Sequence, residues 1–204
     1  MKMANYEKAR KRTDLNEGGW GNNPDDKGGE TYRGIARNFW GSWPGWAIVD
    51  QVKKANGVTK DLDAQLEAAP GLSDLVVAFY KQNFWDPCGL DGLHDDYAAF
   101  LVYDAFVNIG PPVKLWIQKV LNVLNNRQKL WADLVVDGII GAGTLVAWNT
   151  CLSQGTFRDH FFKCFEALRV AHYIEISTRT EAFEQFMEGW LIRCELNMQI
   201  EKSF

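Results

Sequence analysis

Apolar side chains recur at helical spacing along most of this chain. Leu72, Leu75, Val76, Phe79 and Tyr80 follow the Pro70-Gly71 break at intervals of three and four, and Tyr97, Phe100, Leu101 and Ala105 repeat the pattern up to Gly110-Pro111-Pro112. Leu115, Ile117, Val120, Leu121 and Leu124 make a further stripe, and long periodic segments run near 157–176 and 183–200. Trp46, Val49, Val52 and Lys53 open a shorter helix that Asn56-Gly57 closes. This period is that of amphipathic helices, and Gly and Pro stand where such helices stop. The segment up to Asn16 also predicts a helix, although Tyr6, Ala9 and Leu15 form a poor stripe.

One stretch breaks the pattern. Residues 17–34, EGGWGNNPDDKGGETYRG, hold six glycines, a proline and two asparagines, which is the chemistry of turns. Short extended pieces at 20–23 and 31–35, separated by Pro24 to Gly29, predict an irregular hairpin. The expected fold class is therefore mainly α (α+β): a helical globule with one small irregular β-hairpin near the N-terminus.

Composition narrows the function classes. The 204 residues suffice for a sizeable core, and no stretch reaches the roughly 18 apolar residues of a membrane span. A net charge of −4 argues against binding to nucleic-acid phosphates, and the basic cluster Lys8, Arg10, Lys11 and Arg12 reads as a solvated helix face. Four cysteines without CxxC spacing and three histidines give no metal-ligand pattern, so neither metal nor cofactor is expected. The thiols read as buried small hydrophobes of a reducing compartment. The polar, basic start has no apolar signal core, which predicts synthesis in the cytoplasm without a signal peptide. Nine tryptophans nominate a carbohydrate binder without establishing one, since indoles also serve cores.

Candidate chemistry concentrates in the glycine-rich stretch. Glu17 falls where the first helix should end, and Gly18 and Gly19 allow a sharp turn and close approach of a ligand. Asp26 lies nine positions on and Thr31 five beyond that; a hairpin folding back brings the three to one cleft. The trio suits glycosidic bond hydrolysis, in which a carboxylic acid protonates the leaving oxygen and a carboxylate opposite activates water. Glu17 is then the acid, kept protonated by partial burial against Trp20 or other rings, Asp26 the base, and Thr31 the residue that orients the water. Taken singly, each has a plainer reading: a solvated helix-end carboxylate, an Asx turn and a strand residue.

Taken together, the stretch resembles the secretion-activator type N-acetylmuramidases, glycoside hydrolase family 108, whose signature is matched by Glu17-Gly18-Gly19-Trp20, Pro24-Asp25-Asp26-Lys27-Gly28-Gly29-Glu30-Thr31 and Gly34-Ile35. The resemblance implies a lysozyme-like fold, a catalytic Glu17, Asp26 and Thr31, and peptidoglycan as substrate. It extends to Phe84-Trp85-Asp86 and to Asp104, Asn108 and Gly110. Trp20, Asn22, Tyr32, Asp104 and Asn108 are the candidate substrate-binding residues. Asp104 and Asn108 share a helix face one turn apart, so a buried polar pair bracing the loop is their alternative role. Gln118 and Asp137-Gly138-Ile139-Ile140-Gly141 resemble a peptidoglycan-binding segment, and Gly189-Trp190 with Arg193 resembles the family's closing motif, the arginine pairing with a carboxylate or capping carbonyls.

These features assign residues 1–109 to a lysozyme-like catalytic region and 110–204 to a helical predicted peptidoglycan-binding region, packed as one globule. The expected activity is cleavage of the β-1,4 bond between N-acetylmuramic acid and N-acetylglucosamine at the cell wall, in the periplasm. The resemblance implies a holin, a prophage lysis cassette or dedicated secretion machinery for export. A non-catalytic wall-binding or secretion-accessory module and a lytic transglycosylase are the alternatives.

Overall fold

The structure, a computed structural model, describes residues 3–13, 18–23 and 28–199. It is mainly helical, with one small antiparallel sheet near the N-terminus. Packing divides the chain into a smaller unit, residues 10–83, and a larger one formed by residues 84–204 with residues 1–9.

The smaller unit holds the sheet, in the order β1 (Trp20–Asn22), β2 (Glu30–Tyr32) and β3 (Ile35–Ala36). Trp20 faces Tyr32, Gly21 faces Thr31 and Asn22 faces Glu30. The sequence predicts the first two strands and not β3. The third strand arises because Arg33 and Gly34 both take positive φ, 45° and 76°, so that a two-residue turn folds Ile35 back against Tyr32. Three helices follow: α2 (Gly45–Asn56), α3 (Leu62–Glu67) and α4 (Leu72–Tyr80). Gly57 ends α2 at φ 74° with its N–H on the Lys53 carbonyl, as the Asn-Gly pair predicts. Ile35, Val49, Leu66 and Leu72 are fully buried, and Trp40 and Trp43 meet Phe79 edge to face. The Tyr80 hydroxyl donates to the Arg33 carbonyl at 2.7 Å, which ties α4 to the hairpin turn.

The larger unit is built around α5 (Asp96–Ile109), buried from Tyr97 to Phe106. Asp95 caps it, accepting the Ala98 N–H at 2.9 Å and Arg158 Nε at 2.6 Å. Residues 6–9 of α1 (Tyr6–Thr13) belong here, with Tyr6 edge-on to Trp85 and Tyr103. The remaining helices are α6 (Pro112–Leu124), α7 (Ala142–Leu152), α8 (Gly155–Arg179) and α9 (Met187–Gln199), with α8 packed on the other three. The span 183–200 is not one helix: residues 181–186 form a 3-10 turn before α9. In that tighter helix residues three apart share a face, so Phe183 and Phe186 both pack on the Trp190 ring.

A polar stripe on α6 explains the irregular loop between α6 and α7. Gln118, Asn122 and Asn125, spaced by four and three, line one face. Gln118 donates to Asp137 Oδ1 at 2.9 Å and accepts the Gly138 N–H at 2.8 Å. Asn122 exchanges two bonds with the Leu134 backbone, and Asn125 donates to Asp133 and accepts the Gln128 N–H. These amides supply the backbone partners that a loop lacks, and they hold three consecutive left-handed residues, Asn126, Arg127 and Gln128. Five of the nine tryptophans, at 43, 46, 85, 116 and 148, lie in the core. Among the described residues no helix is long and apolar enough to cross a membrane.

Candidate active site

Glu17 and Asp26 lie outside the described residues. The hairpin that carries the rest of the motif is described. Thr31 is half-buried in the middle of β2, its hydroxyl directed at the Gly21 carbonyl across the ladder at 3.5 Å. Asn22 is exposed at the end of β1 and Trp20 is half-buried at its start. Tyr32, a candidate substrate contact in the sequence, is 2% exposed and packs in the core of the smaller unit.

Trp20 is the most constrained residue of the hairpin. Its backbone N–H donates to Asp63 Oδ1 at 2.5 Å, and its indole Nε1 donates to Glu30 Oε1 at 2.6 Å. Lys53 Nζ lies 5.5 Å from the ring centroid and 2.5 Å from the same Glu30 oxygen. Arg37 Nε is 2.8 Å from the other Glu30 oxygen, its terminal nitrogens bond both Asp50 oxygens, and its guanidinium lies 4.2 Å over Trp46. Burial pushes the Glu30 carboxyl up, but bonds from Lys53 and Trp20 and the charges of Arg37 and Lys53 outweigh it, and its pKa falls below the ordinary value.

A group whose folded value is depressed stabilises the fold above its unfolded value, here 4.5, and that contribution is lost as the pH falls through the folded value. Glu30→Ala should therefore cost about 1.5–3 kcal/mol at neutral pH, the scale of hydrogen bonds to a charged group, and progressively less below about pH 4. Thermal unfolding of wild type and variant across pH 3–7 checks this; parallel stability curves across that range would refute it.

An open cavity of about 320 Å³ lies in this unit, lined by Gly18, Gly19, Arg33, Asp63, Glu67, Val76 and Tyr80. Gly18 is bonded in sequence to Glu17. Arg33 reaches across the cavity lining to Glu67 at 2.9 Å. No signal in the sequence sets Glu30, Asp63, Glu67 or Arg33 apart as site residues. Asp63 and Glu67 stand four apart on α3, a six-residue helix too short for a period to be counted in the sequence. Only the fold brings them to the glycine bend.

Asp104 and Asn108 belong to the larger unit, where Asp104 is 1% exposed. Its carboxylate accepts Arg169 Nη2 at 2.9 Å, Arg193 Nη2 at 2.6 Å and Asn197 Nδ2 at 2.7 Å. Arg169 Nε donates to the Tyr173 hydroxyl at 3.0 Å, and that hydroxyl donates to Asn108 Oδ1 at 2.6 Å. Asp104 thus stands at the centre of a buried polar network joining α5, α8 and α9, the bracing role that the sequence offers as an alternative to substrate contact, with protein donors on both its oxygens. Burial raises the Asp104 carboxyl, but the charges of Arg169 and Arg193 and their hydrogen bonds outweigh it and hold its pKa below the ordinary range. Arg193 resolves as a carboxylate partner.

Among the described residues no cluster of His, Cys, Asp and Glu is arranged to hold a metal ion. None of the four cysteines is in a disulfide, and burial pushes the thiols of Cys88, Cys151 and Cys194 up to about 12.

Comparison with known proteins adds three findings. The family model described as Glycosyl hydrolase 108 matches residues 11–110, and the one described as Predicted Peptidoglycan domain matches residues 112–195. A solved structure of Brucella abortus SagA superposes with a TM-score of 0.62 at 22% identity, covering 98% of this chain and 94% of that one, which speaks for the fold. Among curated proteins none matches. With the glycine-rich motif, its folded-back hairpin and these two adjoining matches, the chain belongs to the glycosyl hydrolase 108 family and carries a C-terminal predicted peptidoglycan domain.

Proposed function

We propose that this protein is an N-acetylmuramidase that hydrolyses the β-1,4 bond between N-acetylmuramic acid and N-acetylglucosamine in peptidoglycan. Glu17 is the general acid, Asp26 the base that activates water, and Thr31 the residue that orients it. Residues 1–109 carry the chemistry and residues 110–204 the hold on the wall. Trp20, half-buried, and Asn22, exposed, contact the glycan. Asp104 and Asn108 support the larger unit from within.

One observation carries this reading: the two glycines that follow Glu17 in sequence line a cavity, while Thr31 stands across the ladder from Gly21 in the same hairpin. A glycoside hydrolase needs its acid at a place where the backbone yields room to a sugar, and Gly18, with open space where a side chain would stand, supplies that. The protein acts at the bacterial wall, reached through a holin or dedicated export machinery.

Digestion of purified peptidoglycan, followed by mass spectrometry of the soluble products, tests the proposal. Muropeptides with free reducing ends on N-acetylmuramic acid are expected. Products ending in 1,6-anhydromuramic acid would replace hydrolysis by lytic transglycosylation. Binding to the insoluble wall with no release would leave a non-catalytic wall-binding or secretion-accessory module.

A further inference from the structure

We infer that Asp63 is a positioning residue for the glycosidase reaction: from α3 its carboxylate fixes the Gly19-Trp20 backbone, and through it the chain that carries Glu17. This rests on the muramidase reading above. Asp63 Oδ1 accepts the Trp20 N–H at 2.5 Å, across 43 residues of sequence. The carboxylate also lies so close against Gly19 that a side chain there would collide with both its oxygens. On the other side, the Gly19 carbonyl accepts the Arg33 N–H at 3.1 Å. The peptide unit between residues 19 and 20 is therefore gripped between the β2–β3 turn and α3.

α3 is a firm support for this. Leu62 and Leu66 are buried to 2% or less, and Glu67, one turn after Asp63, pairs with Arg33 of the same turn. Asp63 itself is exposed. An exposed carboxylate accepting one N–H contributes little to global stability, yet it fixes where the neighbouring chain runs. Glycine at 19 is what admits this contact: φ there is not in the left-handed region, and a Cβ would take the place of the carboxylate end, so an alanine is accommodated only by moving Asp63 away.

The test compares wild type, Asp63→Ala, Asp63→Asn, Gly19→Ala and the Gly19→Ala/Asp63→Ala double variant on purified peptidoglycan. Misplacing a catalytic group by about 1 Å costs on the order of 100-fold. Asp63→Ala should accordingly lower kcat about 10- to 100-fold, with KM within about twofold and the melting temperature nearly unchanged. Asp63→Asn, whose amide oxygen still accepts the Trp20 N–H, should recover most of kcat. Gly19→Ala should evict the carboxylate and match Asp63→Ala, and the double variant should be no worse than either alone.

Wild-type kcat in Asp63→Ala, a loss confined to KM, or an Asn variant as impaired as the Ala variant would each overturn the inference. Amide hydrogen exchange at Trp20 reads the grip without any activity: protection in wild type and Asp63→Asn and fast exchange in Asp63→Ala are expected, and equal rates in all three would overturn it. If wild type releases no muropeptides, the muramidase reading falls and the role in catalysis falls with it, while the exchange rates still report whether the grip exists.

Discussion

Glu17→Gln should reduce the release of soluble muropeptides from peptidoglycan by about 100- to 10,000-fold, the range that a general acid contributes. The substitution keeps the shape and the hydrogen-bonding reach of the side chain and removes only the transferable proton. Fold and wall binding should therefore stay as in wild type. A turbidity assay on purified walls, with circular dichroism and a pull-down as controls, gives the three readings together. Lysis by Glu17→Gln at the wild-type rate would remove Glu17 from the role of acid, whatever becomes of the fold. The same variant with lost lysis and lost circular dichroism would point to folding in place of chemistry.

The second large effect lies in the other unit and concerns stability. Asp104→Ala should cost about 3–5 kcal/mol, the penalty for stripping one partner from a buried ion pair. Asp104 and Arg169 are both essentially without solvent, so neither water nor salt can stand in for the lost carboxylate. The variant leaves Arg169 charged and enclosed with the Glu166 carboxylate 3.6 Å from its Nη1, and takes one acceptor from Arg193 and Asn197. Urea unfolding measures the loss directly. A cost under about 1 kcal/mol would mean that the network is not braced as its distances indicate. Because the Asp104 pKa is depressed, its contribution is present above the usual carboxylate range and disappears as the pH falls through its folded value.

Much of the fold is legible in the sequence because long apolar stripes and Gly/Pro stops leave little choice. α5 begins and ends within a residue or two of where its stripe and Gly110 place it, and the turn-rich stretch does fold as antiparallel strands. What escapes detection is short or unpatterned. α3 spans six residues, fewer than two helical turns, so no period can be counted. α7 is apolar on several sides and enters from a glycine-rich loop, which hides its stripe. β3 depends on Arg33 taking a left-handed conformation that the sequence does not announce.

The site divides in the same way. Thr31 and Trp20 are visible through a local motif whose residues are neighbours in sequence. Asp63, Glu67 and Glu30 are invisible because their meaning comes from contacts that only the folded chain makes. The Asp104-Asn108 pair is legible as polar residues on one face of an apolar helix. Their partners, Arg169 and Tyr173, lie 65 residues away, so the pair alone cannot tell a sugar contact from a brace.

The place where α5 belongs has a practical consequence. By family, this helix closes the glycosyl hydrolase segment at residue 110; by packing, it is the spine of the larger unit. The joint between the two named modules is thus no place to cut. A polypeptide ended after Gly110 would carry a naked apolar rod with an ionised aspartate in its middle and none of the guanidinium groups that neutralise it. Such a fragment should be insoluble or unfolded, and transplanting either module onto another enzyme would require taking α5 along with the helices that enclose it.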